Sequence, residues 1–192
     1  STGGINWVIT RSCPVVRNVK MAGILYSDGT LSVQRWNGSV WAQEFSTTGI
    51  GATNSIYRGF DIAYEQNTGR CMVVYSTGGA TNEIAYRIWN GSSWVIGETN
   101  VELGTAGIVR WIRTESKRGS NEIMIATSDA SNDIYAYRWT GAALLNGKTL
   151  TIATNSLTTQ GFDIAWENTS GNCMVIWKQS IGTNYDYWNG AS

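Results

Sequence analysis

The sequence consists mainly of short segments in which apolar and polar residues alternate, separated by turns rich in Gly, Asn, Ser and Thr. In residues 84–89, for example, Ile84, Tyr86 and Ile88 recur with the period of two that is typical of a β-strand. Residues 71–75 are apolar almost throughout, as expected for a strand that is covered on both faces. No segment shows the period of an amphipathic helix. The pattern predicts an all-β protein.

The tripeptide Trp-Asn-Gly recurs about every 50 residues and divides the chain into four repeats. It begins at Trp36, Trp89 and Trp188, and the variant Trp-Thr-Gly begins at Trp139. A regular period of this length without helical segments is typical of the blades of a β-propeller. We therefore predict one domain over residues 1–192, with repeats at approximately 1–56, 57–104, 105–157 and 158–192.

Each repeat is expected to contain four strands. Residues 59–65 (Gly-Phe-Asp-Ile-Ala-Tyr-Glu) are nearly repeated at 161–167 and predict the first strand of their repeats. The second and third strands of that repeat are expected at 71–75 and 84–89, and the fourth at 93–98. Asn-Gly between the third and fourth strands predicts a type I′ turn, in which both central residues have positive φ.

The four repeats are compatible with a four-bladed propeller, with half of an eight-bladed ring formed by a dimer, or with a segment of a longer array. The last repeat stops at Trp188-Asn189-Gly190-Ala191-Ser192, where its fourth strand should begin. The fourth blade is therefore expected to lack its outer strand. The exposed edge would pair with another chain, or the native polypeptide would continue.

Composition and charge narrow the possible functions. Fourteen basic and fourteen acidic residues cancel, so there is no electrostatic footprint for a nucleic-acid partner. No apolar run reaches the length of about 20 residues that insertion into a membrane requires. Charged residues make up only 15% of the chain, and neutral polar residues are abundant, which favours an extracellular or cell-surface location.

The chain contains no histidine, which excludes Ser-His-Asp, Cys-His and His-ligated metal chemistry. Three cysteines cannot form a closed disulfide framework, and their spacing matches no metal motif. No Gly-rich phosphate loop is present. We therefore predict no cofactor, no metal and no catalytic residues.

Two aspartates recur in the first strands, at Asp61 and Asp163, and each is followed four residues later by a glutamate. Carboxylates that face a central channel can serve glycoside hydrolysis or bind a ligand. A catalytic pair needs two different environments, whereas these residues recur at equivalent positions. A structural role is therefore the favoured interpretation.

The tryptophans of the recurring tripeptide, Trp36, Trp89, Trp139 and Trp188, are candidate ligand-binding residues, because aromatic rings stack on the apolar faces of sugars. The alternative is that each ring clamps its hairpin by packing across the strands. We favour the clamp.

The block at residues 59–65, with Tyr-Arg-Ile-Trp-Asn-Gly-Ser-Ser-Trp at 86–94, resembles the blades of large repetitive surface proteins of bacteria and archaea. The resemblance implies a β-propeller that forms part of an envelope or appendage. The hairpin at Trp89 is more loosely similar to the Asp-box of sialidase-like propellers, although it lacks the order Ser-x-Asp-x-Gly.

The leading hypothesis is a non-catalytic extracellular module, serving as structural or adhesive material of a microbial surface or filament. Its partners would be other protein chains that pair with its open strand edge. The alternative is a lectin-like propeller with glycans as partners. A second alternative is a glycoside hydrolase of the sialidase-like type.

Overall fold

A computed structural model describes residues 3–50, 56–104, 107–152 and 158–190 of the chain. Fifteen strands and no helix are found in these segments, so the predicted all-β class is confirmed. None of them contains a helix with the length and apolar character needed to span a membrane. Residues 191–192, at the end of the predicted fourth repeat, lie outside the described ranges. The strands are β1 (Ile5–Ser12), β2 (Lys20–Tyr26), β3 (Leu31–Trp36), β4 (Trp41–Thr47), β5 (Phe60–Tyr64), β6 (Cys71–Ser76), β7 (Ile84–Trp89), β8 (Trp94–Val101), β9 (Val109–Ser116), β10 (Ile123–Asp129), β11 (Ile134–Trp139), β12 (Leu144–Thr151), β13 (Phe162–Trp166), β14 (Cys173–Lys178) and β15 (Thr183–Trp188).

The strands form four antiparallel sheets, and within each sheet every strand pairs with the next strand in the chain. The first three sheets have four strands each, β1–β4, β5–β8 and β9–β12. In the described part of the chain the fourth sheet has three strands, β13–β15, as the sequence predicted. The same register recurs, because Cys71 pairs with Trp89 and Cys173 pairs with Trp188.

The predicted type I′ turns are wrong. Gly38 and Gly91 have positive φ, but the preceding asparagines do not. The connection between β3 and β4 is a four-residue loop in which the Asn37 side-chain oxygen accepts backbone N–H bonds from Ser39 (3.0 Å) and Val40 (3.1 Å). This side-chain cap replaces the turn geometry that two left-handed residues would provide.

The loop at the Trp-Thr-Gly variant of the tripeptide is capped in the same way. The Thr140 hydroxyl accepts N–H bonds from Ala142 (3.3 Å) and Ala143 (3.1 Å). Thr therefore substitutes for Asn because both side chains place an oxygen acceptor within reach of the same two backbone donors.

The sheets pack face to face in chain order, with one apolar cluster between each consecutive pair. All residues of β5 and β6 are buried, because the second sheet is covered on both faces. In β13 and β14 buried and more exposed residues alternate, because the third sheet covers one face of the fourth. The first strands of successive sheets lie side by side: the Arg58 carbonyl accepts an N–H bond from Ile112 (3.2 Å). The number of blades in a closed ring stays a prediction.

Candidate functional site

A cleft of about 270 Å³ lies between the third and fourth sheets. Its walls combine apolar and aromatic side chains with charged ones. The residues used below are Arg138, Leu145, Lys148, Asp186, Tyr187 and Trp188. Of the four candidate tryptophans, Trp188 is therefore the one that lines this cleft.

Trp188 is held at the end of β15 by its partners in both sheets. It pairs with Cys173 in the register of β14 and β15, and its ring meets the ring of Trp166 edge-on at 5.6 Å. The Arg138 guanidinium of β11 lies 4.5 Å from the centre of the Trp188 ring, and the Lys117 ammonium lies 5.6 Å from it. The half-buried indole is therefore fixed in position before any ligand arrives.

The charged groups near the cleft are paired in two sets. The Lys148 ammonium lies 2.6 Å from Asp186 Oδ2, and both side chains are partly exposed. Glu122 accepts hydrogen bonds from Lys117 (2.7 Å) and from Arg138. Burial by itself would raise the pKa of Glu122, but the bonds from Lys117 and Arg138 outweigh it and hold the pKa below its usual value. The carboxylate is thus ionised and orients the guanidinium that stacks on Trp188.

This arrangement suits a ring-shaped polar ligand. Leu145 and Tyr187 are exposed at 42% and 39% and offer apolar contact at the cleft. Lys148, Asp186 and Arg138 supply donors and acceptors that can replace water around hydroxyl groups. The cleft therefore offers both apolar contact and hydrogen-bonding groups to a ring-shaped ligand.

The other three candidate tryptophans lie elsewhere. Trp139 is completely buried, and its indole N–H donates to Glu65 Oε1 at 2.6 Å. Trp89 is 6% exposed and packs against Trp94 at 5.3 Å. Neither ring presents a face to a ligand. Trp89 and Trp94 are partners across the hairpin, the geometry expected of a clamp.

Trp36 is half-buried and meets Trp41, its partner across the β3–β4 hairpin, at 5.7 Å. This pair also has the geometry of a clamp. Because Trp41 keeps 48% of its surface exposed, it is a suitable reference residue for experiments on exposed tryptophans.

Asp61 and Asp163 are brought together by one arginine. The Asp61 carboxylate is completely buried and accepts N–H bonds from Ile62 and Thr114, both at 2.8 Å. Asp163 is largely exposed and accepts a bond from Arg113 Nε at 2.8 Å. Arg113 Nη1 also lies 3.6 Å from Asp61. Arg113 occupies in β9 the register position of the two aspartates in β5 and β13. The carboxylates are therefore parts of a charge network along the first strands.

The sequence predictions did not include Arg138, Lys148 or Asp186. A signal for Arg138 was present, because it precedes Trp139 in a strand, and alternation places adjacent side chains on opposite faces. Arg138 therefore faces the next sheet when Trp139 faces the previous one. Lys148 and Asp186 meet only because two sheets pack together, and no local sequence pattern indicates this contact.

No protein-family model matches the chain, and comparison with curated protein sequences gives no match either. Solved structures show the β-propeller fold. The BP39L lectin from Burkholderia pseudomallei matches with a TM-score of 0.66 and 13% identity, over 97% of this chain and 53% of the lectin chain. The six-bladed fucose-recognising lectin from the fungus Aleuria aurantia matches with a TM-score of 0.53 and 16% identity, over 96% of this chain and 58% of that one.

A polysaccharide lyase, an ulvan lyase bound to -[GlcA(1-4)Rha3S]-, also matches, with a TM-score of 0.53 and 12% identity, over 91% of this chain and 45% of the lyase. The present chain therefore spans about half the length of the solved proteins that it matches. These likenesses concern the fold. The resemblance to microbial surface proteins stays a prediction.

Proposed function

We propose that this chain is a carbohydrate-binding β-propeller module whose ligand lies in the cleft between the third and fourth sheets. The observation that supports this most strongly is the indole of Trp188, fixed at a cleft wall beside Arg138 and close to the Lys148–Asp186 pair. Sugars bind where an aromatic ring and polar side chains converge, because their rings have apolar faces and hydroxyl edges.

The likeness in fold to lectins supports the same proposal. Among the solved structures that match, the protein from Burkholderia pseudomallei is a lectin by name, and the one from Aleuria aurantia is named as a six-bladed β-propeller lectin that recognises fucose. The sequence favoured a structural role first and a lectin-like role second. The cleft and the likeness in fold favour the lectin-like role over the structural one.

Binding without catalysis is proposed because the two candidate aspartates are held in structural bonds. Asp61 is buried with two backbone donors, and Asp163 is paired with Arg113. The match to a lyase shares the fold and is not an argument for activity. An extracellular or cell-surface location, expected from the composition, would give such a module access to glycans.

A glycan array followed by calorimetry on the best ligand tests the proposal, with α-methyl fucoside as the first probe. Trp188→Leu and Lys148→Ala should each weaken binding by about tenfold or more, the equivalent of about 1.4 kcal/mol. Trp41→Leu, which replaces an exposed tryptophan of the first sheet, should bind like the wild type. Equal losses in all three variants, or no binding to any glycan, would refute the proposal.

Self-association is the second candidate function, favoured by the outer face of the fourth sheet. Ile176 and Tyr185 are exposed at 42% and 65%, whereas Val74 and Tyr86, at the corresponding register positions of the second sheet, are buried beneath the third. An exposed apolar sheet face favours contact with another protein surface, as an adhesive or filament-forming module would need. Sedimentation of the wild type and of Ile176→Lys tests this proposal. If both proteins are monomeric at all concentrations, self-association through this face is ruled out.

A further inference from the structure

A second cleft, of about 300 Å³, lies at one end of the first strands β1, β5 and β9, away from the proposed carbohydrate site. Its polar lining consists mainly of groups that can donate hydrogen bonds: Arg11, Ser12, Gln66, Thr114, Ser116 and Arg118. The acidic residue that also lines it is Glu115.

Each acidic group near this cleft lies beside an arginine. Glu115 Oε2 accepts a bond from Arg113 Nη2 at 2.7 Å. Asp61 lies 3.6 Å from a guanidinium nitrogen of Arg11, but it lies equally far from Arg113 and already accepts two backbone N–H bonds. Arg11 therefore has no carboxylate within direct hydrogen-bonding distance in the described chain.

Arg118 is exposed in the turn after β9, and its side chain makes no hydrogen bond or ion pair with any residue that the structure describes. The cleft thus carries two guanidinium groups: Arg118 has no partner among the described residues, and Arg11 shares the Asp61 carboxylate with Arg113. Such a pair attracts anions, since Arg presents donors in the planar arrangement that carboxylate and sulfate accept.

A buried hydroxyl gives independent support. Thr114 is 1% exposed and lines the cleft, yet its Oγ1 has no hydrogen-bond partner among the residues that the structure describes. Leaving a buried hydroxyl unpaired costs about 1–3 kcal/mol, so an acceptor that reached this hydroxyl from the cleft would be stabilised. An anion oxygen would accept its proton.

Burial is the main cause of the lowered pKa of Arg58, which lies near these strands. The charges of Arg113 and Arg11 lower this pKa further, and the charges of Asp61 and Asp163 raise it.

We propose that the cleft formed by Arg11, Thr114 and Arg118 binds the carboxylate or sulfate group of a small anionic ligand, either a free anion or an acidic sugar. The charge of the two guanidinium groups would hold the anion, and Ser12, Gln66 and Ser116 would provide further contacts. This site is separate from the cleft at Trp188 and does not depend on it.

Amide chemical shifts test the proposal. Sodium glucuronate and sodium sulfate are titrated into the full chain at constant ionic strength, with glucose as the neutral reference. Signals of residues 114–118 should shift saturably with an anion and stay unchanged with glucose. If both anions cause shifts, the site accepts a free anion as well as an acidic sugar. If sulfate alone causes them, the ligand is a free anion. If glucuronate alone causes them, the ligand is an acidic sugar.

The variants Arg11→Gln and Arg118→Gln should each weaken binding by about tenfold or more, since each removes one charge-assisted contact. Arg17→Gln, which removes an exposed arginine from the loop between β1 and β2, is the matched control and should bind like the wild type. Trp188→Leu should also leave these shifts unchanged. Equal weakening by Arg17→Gln, identical shifts with glucose, or no shift at all would overturn the proposal.

Discussion

Glu65 fastens the second sheet to the third, and its removal should destabilise the fold measurably. The carboxylate is completely buried. It accepts bonds from Arg70 Nη2 at 2.7 Å, from Arg70 Nε at 2.8 Å and from the indole N–H of Trp139 at 2.6 Å. Glu65→Ala would leave the buried indole donor without an acceptor and the guanidinium without its counter-charge.

The magnitude follows from these contacts. Removing one partner of a buried ion pair costs about 3–5 kcal/mol when the other charge stays buried. The Arg70 side chain is 26% exposed and can turn towards water, so the lower end applies, about 3 kcal/mol. For a chain of this length each kcal/mol lowers Tm by about 2–4 °C, so the midpoint should fall by about 6–12 °C.

Glu167 supplies the matched control, because it occupies the same position in the fourth repeat but is exposed. Glu167→Ala should leave Tm almost unchanged. Thermal unfolding followed by circular dichroism compares the two variants with the wild type. Equal shifts in both, or no shift in Glu65→Ala, would refute the view that Glu65 joins the sheets through Trp139.

Three further predictions concern packing, pH and thiol reactivity. Gly23→Ala places a methyl group 2.4 Å from Phe60 Cε2 and should cost about 1–3 kcal/mol in chemical denaturation, whereas Gly97→Ala, with open space around it, should not destabilise the fold. The pKa of Glu122 is lowered in the folded state, so the ionised carboxylate stabilises the fold above the usual pKa of 4.5. This stabilisation is lost as the pH falls through the lowered pKa. Stability measured during acid titration should therefore fall less steeply in Glu122→Gln than in the wild type. Burial raises the pKa of Cys173 to about 12 and also raises that of Cys71, so a thiol reagent should label the half-buried Cys13 first, and labelling of all three at one rate in native protein would contradict the structure.

Strands and repeats were accessible from the sequence because their signals are local. The predicted strand at 84–89 coincides with β7, and the predicted strand at 71–75 falls within β6. The turn type was missed because the Asn37 side chain, rather than a second left-handed residue, satisfies the backbone donors.

The candidate site was only partly predictable. Trp188 was among the proposed residues, but its accessibility depends on which sheet covers it, and the chemically equivalent Trp139 is completely buried. The ion pair between Lys148 and Asp186 joins β12 to β15, so it arises from the packing of two repeats. Repetition in the sequence identifies equivalent positions, and the neighbours of each copy decide what that position can do.

The indole N–H signals of the tryptophans give the most direct test of the proposed carbohydrate site. On titration with the best glycan from the array, the Trp188 indole signal should shift saturably while that of the buried Trp139 stays in place. A saturable binding isotherm without any change at Trp188, or with a larger change at Trp41 than at Trp188, would contradict the account.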